Sequence, residues 1–212
     1  MNKAKPADAL KTRIQNLNHT LIMDGALDVF SSYGYRGSTV DQIALRCKMT
    51  KPNLLYYFKH KEDIYRAVLE RTLSQWLAPL EALDSESEPI EELTRYISRK
   101  LDLAFESPKS SRLFANEILH GAPHITDFLK GSLRQLVEAK AAVIQQWCNR
   151  GKINPVDPVH LIFAIWSVTQ HYADFSVQVE ALLSGKLATH SNREATRNAV
   201  LEILLRGLKT AP

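Results

Sequence analysis

The sequence predicts an all-α fold of about nine helices, a three-helix module at the N-terminus followed by a larger helical domain. Three observations carry that expectation. Apolar residues recur at spacings of three and four along most of the chain. No strand-like alternation is bounded by hairpin signals. Caps, glycines and prolines punctuate the pattern at helix-length intervals.

The first helix is expected from about Thr12 to Ser32, on the spacing of Ile14, Leu17, Leu21, Ile22, Ala26, Val29 and Phe30, and Gly34 and Gly37 end it. Thr39 offers an N-cap oxygen to a short helix from Val40 to Cys47, with Lys48 and Met49 left as a turn. Thr50 caps the next, Lys51 to Phe58, and Pro52 falls in its first turn, where a missing N–H costs nothing. A long helix runs from Lys61 to about Leu83. Asp84 to Pro89 lacks apolar periodicity and reads as a solvated connection, with Glu86, Glu88, Glu91 and Glu92 as an acidic patch. Helices are then expected over 90–106, 109–119, 126–150, 157–183 and 192–207. Their separators are Ser107-Pro108, Gly121 to Pro123, Gly151 to Pro155, and Ser184-Gly185.

With 212 residues, 45% of them hydrophobic and 24% charged, the chain has a globular composition rather than a disordered or collagen-like one. The net charge is only +4, too small to prove a polyanionic partner, but its distribution says more. Residues 1–70 hold 11 Lys/Arg against 7 Asp/Glu, whereas residues 71–212 hold 16 of each, so the whole excess sits in the first third. Cys47 and Cys148 are the only cysteines, which supports no disulfide framework or four-cysteine zinc site and suits a reducing compartment. The N-terminal ten residues lack the apolar core of a secretory signal, and no stretch approaches the ~18 apolar residues of a membrane span. The expectation is a cytoplasmic protein with no membrane partner.

Two short helices joined by a three- or four-residue turn, the second opening on a Thr cap, are what a helix-turn-helix requires. Val40, Ile43, Ala44, Leu54 and either Leu55 or Phe58 would pack it. That leaves Gln42, Arg46, Lys51, Asn53 and Tyr56 or Tyr57 facing outward. Lys, Asn and Gln can donate to base edges or phosphate, and tyrosine hydroxyls and a helix start such as that at Lys61 suit phosphate oxygens. Spacing alone also fits a plain helical hairpin of a bundle. The run Gly34-Tyr-Arg-Gly-Ser-Thr-Val-Asp-Gln-Ile-Ala44, followed by Met49-Thr-Lys-Pro-Asn-Leu-Leu-Tyr-Tyr-Phe-Lys-His-Lys-Glu-Asp-Ile-Tyr65, closely resembles the N-terminal domain of TetR-family transcriptional regulators. That resemblance implies a homodimer on double-stranded DNA at a palindromic operator, with a DNA-binding domain at 1–65 and a ligand-binding and dimerisation domain at 66–212. Carried over by position, it makes Thr39, Gln42, Thr50, Lys51, Pro52, Asn53, Tyr56, Tyr57 and Lys61 the DNA-contacting set. Leu55 departs from the family, many of whose members have Tyr there.

The second half resembles the branch of this family that senses uracil or thymine. The residues that carry the likeness are Trp76-Leu-Ala-Pro-Leu80, Ser111-Arg-Leu-Phe114, Gly121-Ala-Pro123, Gly151-Lys-Ile153 and Asp157-Pro-Val-His-Leu-Ile-Phe-Ala-Ile-Trp-Ser-Val-Thr-Gln-His-Tyr-Ala-Asp-Phe175. Trp166, Gln170 and Asp174 stand at i, i+4 and i+8, one stripe that a purely apolar core does not need. An indole to stack on and an amide that donates and accepts suit a flat pyrimidine. Trp76 would supply a second wall, and Lys100 or Arg112 a donor. For the tryptophans, plain core packing is the competing reading, and for Gln170 and Asp174 an interhelical hydrogen bond. A regulator of another metabolite, or a DNA binder without effector, also stays open. His120 and His124 are four apart, but Gly121 and Pro123 between them deny a regular turn, and no metal site is expected there. Cys47 reads as a small buried residue. No nucleophile-elbow, zinc-protease or phosphate-loop pattern occurs, so no enzymatic activity and no cofactor beyond a small-molecule effector is expected. By the resemblance, the chain is a ligand-released repressor.

Overall fold

The computed structural model describes residues 6–183 and 189–210, with side chains from Gln15 onward; the Ser184-Gly185 breaker and the side chains of Thr12 and Ile14 lie outside the described residues. The chain divides into two compact units, Met1–Thr72 and Leu73–Pro212. The described residues form helices and no strands.

In the first unit, α1 spans Pro6–Gly37, with a break at Gly34, where φ 68 and ψ 177 leave the helical region. Only glycine takes that backbone conformation without strain. α2 is Val40–Arg46 and α3 is Lys51–Tyr57. Between them α2 ends on Lys48 in the left-handed region, φ 55, with Met49 N–H donating to Ala44 O and Lys48 N–H to Leu45 O. The same closure ends two helices of the second unit, at Gly121 and at Gly151. Ile22, Ala26 and Phe30 of α1, Ile43 and Ala44 of α2, and Leu54 of α3 are buried, as are Ile64, Val68 and Leu69 of α4, Lys61–Glu81. Phe58 is buried too, whereas Val40 and Leu55 are half-buried and Leu17 and Leu21 exposed. α1 comes very close to the end of α2: a Cβ on Gly25 would lie 2.4 Å from Cys47 Sγ.

α4 begins in the first unit and ends in the second. Pro79 sits in its last turns, so Gln75 O loses its helical partner. The connection that follows is held rather than free: Trp147 Nε1 donates to Ser85 O at 3.0 Å and Lys140 Nζ to Leu83 O at 2.9 Å. Of the predicted acidic patch, Glu86 and Glu88 pair with Arg150 and Lys152. Glu92 departs from it. Glu92 is 3% exposed, because the helix register turns it inward, and it meets Arg95.

The second unit continues with α5, Pro89–Glu106, and α6, Pro108–Leu119. A one-turn α7, Thr126–Phe128, runs through a π-helical stretch, Leu129–Leu133, into α8, Arg134–Asn149. α9 is Pro158–Asp174, α10 Ser176–Leu182 and α11 His190–Leu205. Counting the run from Thr126 to Asn149 as one, the described residues form ten α-helices. The extra one arises at Phe175, where the backbone leaves the helix expected over 157–183. The buried stripe of α9 passes through Leu161, Ile165, Thr169 and Ala173, and a straight continuation would next bury 176 and 177; Val177 is instead 82% exposed and Val179 is buried. The break re-phases the stripe. α9 packs against α5, α6 and α8, and α11 against α5. Their core includes Leu93, Ile97, Leu101, Ile144, Trp147, Ile162, Ile165 and Val200.

Candidate nucleic-acid interface and buried polar cluster

Two caps build the first site. Thr39 Oγ1 accepts from Gln42 N–H at 3.2 Å while Gln42 Oε1 accepts from Thr39 N–H at 2.8 Å, a reciprocal capping box. Thr50 Oγ1 accepts from Asn53 N–H at 3.4 Å, and Pro52 lies in the first turn of α3. Thr39, Gln42, Thr50, Lys51, Pro52, Asn53 and Tyr56 are all exposed, Tyr56 by 71%. Lys51 Nζ stands 2.9 Å from Asp41 Oδ2, and Arg46 pairs with Asp28. The start of α3 therefore presents a lysine and an asparagine side chain beside two tyrosine rings, donors that suit phosphate and base edges.

Two members of the predicted set have internal partners. Tyr57 is half-buried, accepts at its hydroxyl from Asn18 Nδ2 at 2.8 Å and stacks edge-on to Tyr56 at 5.3 Å. It braces α3 on α1. Lys61 Nζ donates to Tyr35 O at 2.8 Å and Ser38 O at 2.9 Å, and lies 4.3 Å from the Tyr35 ring centre. Its ammonium thus closes the end of α1, where Gly34 breaks the helix.

The second site is in the second unit. Trp76 of α4 is 5% exposed and packs with Leu103 and Ala104 of α5 and Ala173 of α9. Lys100 of α5 is 3% exposed, and its Nζ lies 4.0 Å from the Trp76 ring centre. Among the described residues this ammonium makes no hydrogen bond or ion pair, and burial pushes its pKa down to about 7 against the opposing pull of Asp174. Trp76 Nε1 is buried and meets no acceptor among the described residues. Asp174 Oδ1 accepts from Ser111 Oγ at 2.5 Å. Burial raises the Asp174 carboxyl, while the Ser111 bond and the charges of Arg112, Lys100 and His171 oppose that rise.

The structure brings Trp76, Lys100, Arg112 and Asp174 together and adds Ser111, which sequence reasoning passed over; its signal was its position beside Arg112 at the start of α6. Trp166 lies elsewhere on α9. Its Nε1 donates to Tyr96 OH at 2.7 Å, and its ring lines an apolar cavity of about 620 Å³ with Ala122, Leu133, Val137 and Phe163. Gln170 is half-buried, one turn from Asp174 and one from Trp166. His124 is engaged by Glu117, whose carboxylate accepts from His124 N at 2.8 Å. No group of three or more potential metal ligands occurs among the described residues, and no described helix is long and apolar enough to cross a membrane.

Comparison with known proteins bears on both sites. Residues 22–68 match the model of bacterial regulatory proteins of the tetR family, and residues 69–211 match that of the YcdC-like protein C-terminal region. The chain is 42% identical over 199 residues to the HTH-type transcriptional regulator RutR of Escherichia coli, covering 94% of each protein. It is 23% identical over 194 residues to the HTH-type transcriptional repressor NicS of Pseudomonas putida, covering 89% of this chain and 91% of that one. Two solved structures share the fold. The ketosteroid transcriptional regulator KstR2 of Mycobacterium tuberculosis has a TM-score of 0.69 at 16% identity, over 91% of this chain and 95% of that one. AibR in complex with isovaleryl coenzyme A and operator DNA has 0.66 at 19%, over 88% and 97%. With its capped helix-turn-helix and helical second unit, the chain belongs to the TetR family of bacterial transcriptional regulators.

Proposed function

We propose that this regulator is a cytoplasmic homodimeric repressor released from a palindromic operator by a pyrimidine, uracil or thymine. The reading rests on 42% identity to the transcriptional regulator RutR across nearly the whole chain, and on the resemblance of the second half to the branch of the family that senses uracil or thymine. The observation that carries it is the cluster of Trp76, Lys100 and Asp174: a buried indole N–H with no acceptor among the described residues and a buried lysine over the same ring, near a half-buried carboxylate, an arrangement that is costly unless a ligand completes it. On the DNA side, α3 enters the major groove with Lys51, Pro52 and Asn53 at the bases. Thr39, Thr50, Gln42, Tyr56 and the first turn of α4 then meet the backbone. Lys61 and Tyr57 hold those elements in place.

Dimerisation through α9, α10 and α11 accounts for the exposed apolar side chains Phe163, Phe175, Val177, Leu182 and Ile203. It sets two copies of α3 roughly 34–36 Å apart, one DNA turn. Ligand at Trp76 acts on α4, the helix that also carries Lys61 at its other end, and changes that spacing. The shift can be no larger than the ligand's preference for one state over the other.

The test is a thermal-shift panel of pyrimidines, purines and other small metabolites, followed by release of a duplex selected in vitro for binding. Stabilisation by uracil or thymine together with release from the duplex supports the reading. A clear hit on another class, with none on either pyrimidine, removes the pyrimidine and leaves the regulator.

A further inference from the structure

The surplus of positive charge in the first unit does not sit on the helix-turn-helix. Residues 1–14 carry Lys3, Lys5, Lys11 and Arg13 against Asp8 alone, a net +3, whereas residues 15–70 carry seven Lys/Arg against six Asp/Glu, a net +1. Four of those seven cations are already engaged inside the unit: Arg46 by Asp28, Lys51 by Asp41, Arg66 by Glu62, and Lys61 by the carbonyls of Tyr35 and Ser38. Arg71, the next cation along the chain, meets Asp24 at 2.8 Å. The helix-turn-helix is therefore close to neutral, and most of the chain's net +4 belongs to a segment ahead of it. That segment also precedes residues 22–68, which carry the family match.

The course of α1 brings this segment to the DNA-facing helix. α1 starts at Pro6, yet its first buried side chain among the described residues is Ile22. Between the two it passes the end of α3: Asn18 Nδ2 donates to Tyr57 OH at 2.8 Å, and the His19 ring lies 5.3 Å from that of Phe58. At 1.5 Å per residue the start of α1 is about 18 Å before Asn18. Lys11 and Arg13 lie within that length, and Lys3 and Lys5 precede it in the chain. We propose that residues 1–14 form a basic arm that grips the phosphates of duplex DNA outside the contacts of α3. The arm supplies most of the sequence-independent affinity that a nearly neutral helix-turn-helix lacks. The proposal rests on the DNA-binding reading above and deepens it, separating the element that holds the duplex from the element that reads it.

The test compares the full-length chain with two quadruple variants, one neutral (Lys3→Gln, Lys5→Gln, Lys11→Gln, Arg13→Gln) and one that keeps the charge (Lys3→Arg, Lys5→Arg, Lys11→Arg, Arg13→Lys). Fluorescence anisotropy reads their affinity for the duplex selected in vitro and for an unrelated duplex of equal length, between 50 and 200 mM salt, and melting curves check that each variant folds. One phosphate per protomer, two per dimer, makes the slope of log affinity against log salt shallower by about 1.8 in the neutral variant. Over that fourfold range of salt its deficit against wild type should shrink by at least about 12-fold. The loss should be the same on both duplexes, and the charge-keeping variant should hold the wild-type slope. A neutral variant with wild-type affinity and slope overturns the arm and leaves α3 as the DNA-binding element. A loss confined to the selected duplex, or an equal loss in the charge-keeping variant, also overturns it, because phosphates carry no sequence and need only charge. So does binding to anionic phospholipid vesicles that the neutral variant loses while its DNA binding stays intact, which would assign the segment to a lipid surface. Failure of the wild-type chain to bind either duplex removes the DNA-binding reading along with the arm.

Discussion

Replacing Lys100 by Met keeps an unbranched side chain one atom shorter and removes a cation that the fold holds 97% out of solvent. The folded protein lowers the lysine's pKa from 10.5 to about 7, with burial as the main cause. The sign follows from proton binding. Between about pH 7 and pH 10.5 the unfolded chain holds a proton on this lysine that the folded chain has shed, so stability due to this group rises with pH across that window. The destabilisation is full below pH 7 and gone above pH 10.5. Linkage places it at about 4 kcal/mol at pH 7.5 and about 1 kcal/mol at pH 9.5. Urea denaturation of wild type and Lys100→Met at pH 7.5 and 9.5, at one fixed protomer concentration, reads the difference. The variant's advantage should shrink by roughly 2 to 3 kcal/mol over those two pH units, whatever constant offset the lost contact with Trp76 adds. A difference curve flat in pH would refute the argument, because it would mean that Lys100 keeps its proton through folding and that the cluster is well solvated.

Three further outcomes follow from the first unit. Gly25→Ala should cost about 1 to 3 kcal/mol of stability, since its Cβ would meet Cys47 Sγ at 2.4 Å, and Cys47→Ala in the same chain should recover most of the loss in a double-mutant cycle. Lys48→Gly should raise the denaturation midpoint, by up to about 1 kcal/mol of stability, because position 48 sits at φ 55 in the closing turn of α2. Lys61→Met should lower the melting temperature by removing two charge-assisted bonds to Tyr35 O and Ser38 O, yet leave the salt dependence of DNA binding unchanged. A slope shallower by about 0.9 would show instead that its ammonium neutralises a phosphate.

The short-range rules were the most legible part of this molecule. Thr39 and Thr50 cap the helices they were expected to cap, because a side-chain oxygen and its N–H target lie within three residues and need nothing from the rest of the fold. The break at Phe175 was not legible, since apolar residues continue on both sides of it and only the packing of α9 against its neighbours decides which of them are buried. The same limit applies to Lys61. A lysine at a helix start has an obvious external use, and nothing local announces two carbonyls that stand more than 20 residues earlier. In the buried cluster, sequence spacing tied Trp166, Gln170 and Asp174 into one stripe. The tertiary structure joined Asp174 instead to Ser111, 63 residues away, and gave Trp166 to Tyr96.

Lys51 already rests on Asp41, and Arg46 on Asp28, before any nucleic acid arrives. In ionic terms, each of these cations brings its counter-charge from within the protein rather than from solution. On the DNA-contacting reading proposed above, a Lys51 that leaves Asp41 for the operator would leave that carboxylate bare beside a polyanion, where it would recruit a cation in return, so the net number of ions freed would be smaller than the number of contacts made. Binding that draws less on ion release falls less steeply as salt rises. It also gives random duplexes, which offer phosphates and nothing else, less reason to hold the protein. On that reading the acidic residues of this basic module would act as a brake on indiscriminate binding, and the operator would have to supply in base contacts what its phosphates do not.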